Sequence, residues 1–482
     1  MSSISKSIFS GALWTTVQTV GLKLSSILGQ LILAYILSPE DFGKIGLTYT
    51  ITSIGILFQS FGLTDVLVNR GKSFLVLMPL AKSVSLIGSV ICWIVTIILG
   101  FVGSIFLYND IEIFYLVVIF SFSIPFDTLS VVPDSRLMQQ LRFKDRSLIQ
   151  VYAAFLTQIL TVVFALFSFG VYSFVLPITL VAILRYLYIT KISETGFRIS
   201  FTLRRWKHLV VNSAWSFLYA LSQRLIQQLD FIILGVFVLQ SEVGVYFLAF
   251  SLSIQVIGFL VGAISPIVFP VLMQVPKEDT TTVKNTLNKL TYILALIGMP
   301  FALWQAVSAE PLIKLFLQDK WIPCILITQI LSLGIGFQVV SSLWVVTLRI
   351  NGEFKKQAEL SFYSLLLFVI LVVPLTYLYK SVGTAIAVSA YYMISGPVLS
   401  YLSFKKYDIS FIKVLHPYIK YFIVSIVIFG SIFYISSLTD CIYIKFLMNV
   451  ILSPIIYLII IYFVDRQMFL GVLNLVKKRN LS

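Results

Sequence analysis

Apolar runs of about 18 or more residues, each closed by charges or turn residues, follow one another along the whole chain and predict about fourteen membrane-spanning helices. Their cores read 8–37, 43–68, 76–107, 111–138, 147–168, 172–190, 209–237, 243–271, 286–307, 321–348, 357–379, 382–403, 417–437 and 443–464. The connections between them are too short to hold a folded extramembrane domain, so any chemistry or transport takes place among the helices. The predicted fold class is an all-α polytopic membrane protein. At 59% hydrophobic and 11% charged residues the composition agrees, since a soluble domain carries roughly 25% charged residues. The apolar run after Lys6 is too long for a cleaved signal peptide, so the first helix is expected to stay in place.

One stretch occurs twice. Gly11 to Gly43 and Asn212 to Gly244 align at a single offset of 201, which superposes Trp14 on Trp215, Lys23 on Arg224 and Gly43 on Gly244. A second, shorter match sets Leu137, Phe143 and Lys144 on Leu348, Phe354 and Lys355 at an offset of 211. Together they predict two pseudo-symmetric six-helix lobes. Residues 1–208 form the first lobe and its linker, 209–404 the second, and 405–482 two appended helices with a tail.

Both copies place a cation at depth. With about 1.5 Å of rise per residue from Ile8, Lys23 lies about 22 Å in, near the bilayer midplane, and Arg224 is equally deep. A cation there costs about 2.5 to 3.5 kcal/mol on insertion scales. Each is expected either to face a wet cavity, where the pair suits an anionic substrate, or to pair with a carboxylate inside its own half. Gln18 and Gln30 flank Lys23; Gln227 and Gln228 follow Arg224 at i+3 and i+4, which on an unbroken helix puts them on its side. Amides beside a cation offer donors to phosphate and sugar hydroxyls, or bind helices to one another.

The net charge of +15 does not point to nucleic acid. With the amino terminus inside, cytoplasmic segments hold about 26 Lys and Arg and external ones about 5, a positive-inside bias that places both termini in the cytoplasm. Four acids stand out as candidates for proton or ion coupling. Asp127 sits near the centre of the fourth helix, as a proton site or as the partner of Lys23; Asp134 follows two turns on, and Pro125 and Pro133 should bend the helix. Asp230 is angled away from Arg224, and Asp65, near the cytoplasmic surface, is expected to be solvated or paired with Arg70 or Lys82. Cys92, Cys324 and Cys441 read as packing residues, and neither a metal nor a cofactor is implied.

The stretches GALWTTVQTVGLKL, LILAYILSPEDFGKIGL and FGLTDVLVNRG resemble the polysaccharide-transport branch of the MOP exporter superfamily, and within it the Wzx-like exporters for colanic and teichuronic acid. The resemblance implies a flippase that moves an undecaprenyl-pyrophosphate-linked oligosaccharide from the cytoplasmic to the external leaflet by rocking two lobes around a central cavity. It implies a bacterial inner-membrane location and neighbours such as a polysaccharide polymerase and its chain-length machinery. Members commonly carry Arg after Ala before the Pro-Glu-Asp-Phe-Gly turn; here Ala34 is followed by Tyr35, so no role of that cation transfers. A multidrug exporter of the same superfamily would favour the carboxylates Asp127 and Asp230 over paired cations. A membrane glycan polymerase or glycosyltransferase would need an acid–base constellation that the short external loops do not supply.

Overall fold

In a computed structural model the chain is helical throughout its described residues, which are 3–56, 74–196, 214–254 and 279–469. Ten of those helices are long and apolar enough to cross a membrane, by length and composition. The first is α1 (Ser3–Ile36), followed by α2 (Pro39–Gly55) and α3 (Phe74–Val102), which ends in a π turn at Gly103–Leu107. The fourth crossing is α4 (Ile111–Ser121) with α5 (Ser123–Gln139); then come α6 (Phe143–Leu166) and α7 (Tyr172–Ile192). The repeat resumes in α8 (Ala214–Ile226), α9 (Leu229–Phe237) and α10 (240–254). After α11 (Thr280–Phe316), α12 (Cys324–Ser341) and α13 (Leu343–Ile350) comes α14 (Phe354–Phe404), two spans folded at Lys380, whose φ of 52° is not helical. The appended pair is α15 (Phe411–Ser437) and α16 (Ile442–Phe446), the latter continued through a π turn into α17 (Ser453–Val464). With α14 counted as two and broken helices joined, the described helices group into fourteen segments. The chain divides into two compact units, Met1–Phe247 with Ser361–Leu365, and Leu248–Leu360 with Leu366–Ser482.

Helix starts follow local chemistry. Ser38 caps α2: its Oγ accepts the Asp41 N–H at 3.2 Å, and its own N–H donates to the Asp41 carboxylate at 3.0 Å, with Pro39 at the first position. The expected bend in the fourth span is a break at Phe122, three residues ahead of Pro125, because the proline ring collides with the carbonyl four residues back, that of Ser121.

The two glycines of the repeat pack on each other's corners. A Cβ on Gly43 would fall 1.9 Å from the carbonyl oxygen of Gln240, and one on Gly244 would fall 1.7 Å from that of Pro39. Gln240 and Pro39 are themselves related by the offset of 201, so the contact is reciprocal. Around it Lys44 reaches Glu112 at 2.7 Å and Glu40 at 3.0 Å, while the Gln240 side-chain amide donates to Asp110 at 2.8 Å.

The weaker match, at offset 211, is equally clear in the backbone. The turn after α5 has Arg142 N–H donating to the Leu137 carbonyl at 2.9 Å; the turn after α13 has Glu353 N–H donating to the Leu348 carbonyl at 2.9 Å. Each is a helix C-terminal turn closed through one left-handed residue, Leu141 at φ 57° and Gly352 at φ 71°. Cys92 and Cys324 are buried as packing residues, whereas Cys441 is exposed, since it stands in the loop ahead of α16.

Candidate functional site

Everything singled out around the two cations lies in the unit Met1–Phe247. There α1 runs beside α6 in the same direction: a Cβ on Gly21 would stand 3.1 Å from Val151, one on Gly29 would meet the Gln158 side chain, and the Ser147 hydroxyl donates to Gln18 at 3.3 Å. Gln18 therefore helps fasten two helices, and Gln30 is half-buried and partnered. Lys23 is half-buried between them in sequence, with neither an ion pair nor a hydrogen bond among the described residues. Arg224 matches it: half-buried on the last turn of α8, and likewise without a partner among the described residues.

The polar side expected after Arg224 is not a continuous helical face. The helix breaks at Gln227 and Gln228, where Gln228 has φ −131° and its N–H donates to the Leu225 carbonyl at 3.1 Å in place of that of Arg224. Gln227 is exposed and Gln228 half-buried, so the i, i+3, i+4 geometry ends with the break. No proline or glycine marks this point. On the turn before it, Gln223 donates to the Ser361 hydroxyl at 3.2 Å, a contact the sequence pattern does not signal.

The carboxylates divide by partner. Asp127 is not the counter-ion of Lys23; it accepts from Arg185 of α7 at 2.9 Å, and Arg185 also donates to the Gln150 side chain of α6 at 3.1 Å. Asp134 pairs with Arg146 at 2.9 Å. Asp230, on α9, is 1% exposed; the Tyr246 hydroxyl donates to one of its oxygens at 2.8 Å, and the other is buried with no partner among the described residues. No cation lies within ion-pair distance of Asp230 among the described residues. Asp65 lies outside the described residues, but Lys82, one of its two expected partners, is buried and donates to the Thr195 carbonyl at 2.8 Å and to that of Gly196, closing the end of α7. Arg185, Gln150 and Tyr246 were absent from the sequence reading. The signal for Arg185 is its own position: a cation inside the sixth span requires an acid at similar depth, and Asp127 is one.

Lys23 and Arg224 thus stand at equivalent points of the internal repeat, each without a partner among the described residues. The model of the family described as "Polysaccharide biosynthesis protein" matches residues 32–326. The chain belongs to that family. Among curated relatives it is 23% identical over 345 residues to the succinoglycan biosynthesis transport protein ExoT of Rhizobium meliloti (strain 1021), covering 70% of this chain and 67% of that one. It is 22% identical over 374 residues to the teichuronic acid biosynthesis protein TuaB of Bacillus subtilis (strain 168), covering 75% and 74%. Among solved structures it superposes on the lipid II flippase MurJ in its inward closed conformation with a TM-score of 0.76 at 16% identity, covering 95% of this chain and 99% of that one. The helical fold is therefore shared with that flippase structure. This polysaccharide biosynthesis family member is thus a multi-pass helical chain by the length and composition of its helices, and the proteins it resembles include one named as a transport protein and one named as a flippase.

Proposed function

We propose that this family member is a flippase that carries an undecaprenyl-pyrophosphate-linked oligosaccharide from the inner to the outer leaflet by alternating access, for cell-surface polysaccharide synthesis. Residues 1–208 and 209–404 act as the lobes that exchange access, 405–482 as an appendage, and both termini lie in the cytoplasm, in keeping with the distribution of Lys and Arg. The observation that carries this reading is the pair Lys23 and Arg224: equivalent in the repeat, intramembrane, and unneutralised by protein among the described residues. A diphosphate head supplies the missing negative charge, and the polyprenyl tail stays in lipid. Gln18, Gln30, Gln227 and Gln228 are the amides available to hydroxyls and phosphate oxygens near the two cations. A polymerase and chain-length machinery would take up the product outside.

Coupling falls to Asp230 ahead of the other acids. Asp127 and Asp134 are each engaged by an arginine, whereas Asp230 has a tyrosine hydroxyl on one oxygen and no partner on the other among the described residues. Lys23→Ala and Arg224→Ala should each lower export by at least a hundredfold in a complementation assay while membrane levels stay normal. Full export by both variants refutes the head-group assignment. Asp230→Asn should abolish the response of leaflet transfer to an imposed proton gradient in reconstituted vesicles, and an unchanged response moves coupling elsewhere.

A further inference from the structure

Within the unit Met1–Phe247 a cavity of about 200 Å³ opens beside Leu22, the residue before Lys23. At roughly 30 Å³ per water it has room for a handful of waters, or for one pyranose ring. Its polar wall is Asp127, Gln150, Thr157 and Arg185, and Ala153, Ala154 and Ala182 leave the space open. Thr157 is satisfied by the Ala153 carbonyl at 2.9 Å. The other three form a chain: Arg185 donates to Asp127 at 2.9 Å and to the Gln150 oxygen at 3.1 Å. That leaves the second Asp127 oxygen and the Gln150 amide nitrogen without partners among the described residues, while the Arg185 Nε is buried with no acceptor. The network is thus short of one donor, for Asp127, and of two acceptors, for Gln150 and Arg185.

The charge of the wall decides what completes it. Asp127 cancels Arg185, so a free anion meets the carboxylate and a free cation meets the guanidinium. A neutral ring with adjacent hydroxyls suits both, since one hydroxyl can donate to Asp127 and its neighbour can accept from Gln150. We infer that this cavity is a subsite for a neutral hexopyranose unit of the transported glycan, with Asp127, Gln150 and Arg185 as its hydrogen-bonding residues. The inference rests on the lipid-linked glycan reading above. A site built to bond hydroxyls discriminates strongly against ligands that lack them or that bring a charge of the wrong sign.

The test is native mass spectrometry of the full chain in lipid nanodiscs with three probes: undecaprenyl pyrophosphate, the same lipid bearing one glucose, and the same lipid bearing one glucuronic acid. The glucose probe should bind about tenfold tighter than the bare lipid, and the glucuronic acid probe should lose that gain through repulsion from Asp127. Ala154→Leu, which fills the cavity and leaves the ion pair, and Gln150→Leu, which removes the donor, should each erase the gain and leave the affinity for bare lipid unchanged. Equal binding of bare and glucose-bearing lipid by the wild type overturns the subsite, as does a gain that survives both substitutions or a loss that falls equally on all probes. Failure of the wild type to bind even the bare lipid overturns the flippase reading, and the subsite with it.

Discussion

The helices that carry Lys23 and Arg224 occupy equivalent places in the repeat and differ in shape. In the first copy α1 runs unbroken from Ser3 to Ile36, whereas in the second the equivalent stretch is two helices, α8 and α9, separated at Gln227 and Gln228. What the copies keep is the intramembrane cation and the glycine corner; what they vary is the backbone just beyond the cation. A break frees carbonyl and amide groups that an unbroken helix uses up internally, and inside a membrane such groups are tolerated only where protein or water satisfies them. The second copy therefore offers main-chain groups beside its arginine that the first copy lacks, and in the proposed flippase these would add to what Arg224 presents to the head group.

That asymmetry can be broken at its source. Replacing both Gln227 and Gln228 with alanine, a strong helix former, favours a continuous helix and removes both amides. Export should fall by about tenfold, less than for loss of Arg224 itself, with circular dichroism showing no loss of helix. Lys23→Ala combined with Gln227→Ala and Gln228→Ala tests whether the copies act on one ligand: the combined deficit should then depart from the product of the separate ones.

The corner contact gives the next largest effect, this time in stability. Because a Cβ on Gly244 would land on the backbone carbonyl of Pro39, no side-chain rotation relieves it, and two helix ends must part. Overpacking of this kind typically costs about 1–3 kcal/mol, against a gain of about 1 kcal/mol from alanine's higher helix propensity. Gly244→Ala should lower the midpoint of thermal unfolding in detergent, and Gly43→Ala, facing the Gln240 carbonyl, should do the same to a similar extent. A variant of either that unfolds at the wild-type temperature would show that the corner yields freely.

Much of this architecture is legible in the sequence. The all-helical class, the capping of α2 by Ser38 and the repeat follow from hydropathy and spacing, because lipid forces each crossing to be a long apolar helix. What stayed hidden depends on contacts between distant segments. Asp127 belongs to Arg185 through a pairing 58 residues apart in the chain, and Asp230 meets Tyr246 across a helical corner. Neither distance has a period that a sequence pattern could reveal. The break at Gln227–Gln228 was unreadable for a different reason: glutamine is a good helix former, so the interruption comes from tertiary surroundings and not from local propensity. The second copy also lacks the charge of the first at the position matching Asp127, where the offset of 211 places Gln338, whose side-chain oxygen is buried with no partner among the described residues.

The smallest effects come from the pair of turns, and they are opposite in sign. Both turns close a helix through one left-handed residue, but Gly352 takes that conformation without a Cβ clash and Leu141 takes it against one. A left-handed residue with a Cβ costs about 1–2 kcal/mol relative to glycine in the folded state, partly offset by the larger freedom glycine has when unfolded. Gly352→Ala should therefore destabilise by about 1 kcal/mol. Leu141→Gly should stabilise by a few tenths to about 1 kcal/mol, the Leu141 side chain being exposed at 49% and so giving up little burial. Paired unfolding midpoints of the two variants in one detergent decide the matter, since any shared effect of the detergent cancels between them. If Leu141→Gly lowers the midpoint, the leucine contributes a contact that outweighs its backbone strain, and the two turns are alike in geometry without being alike in energy.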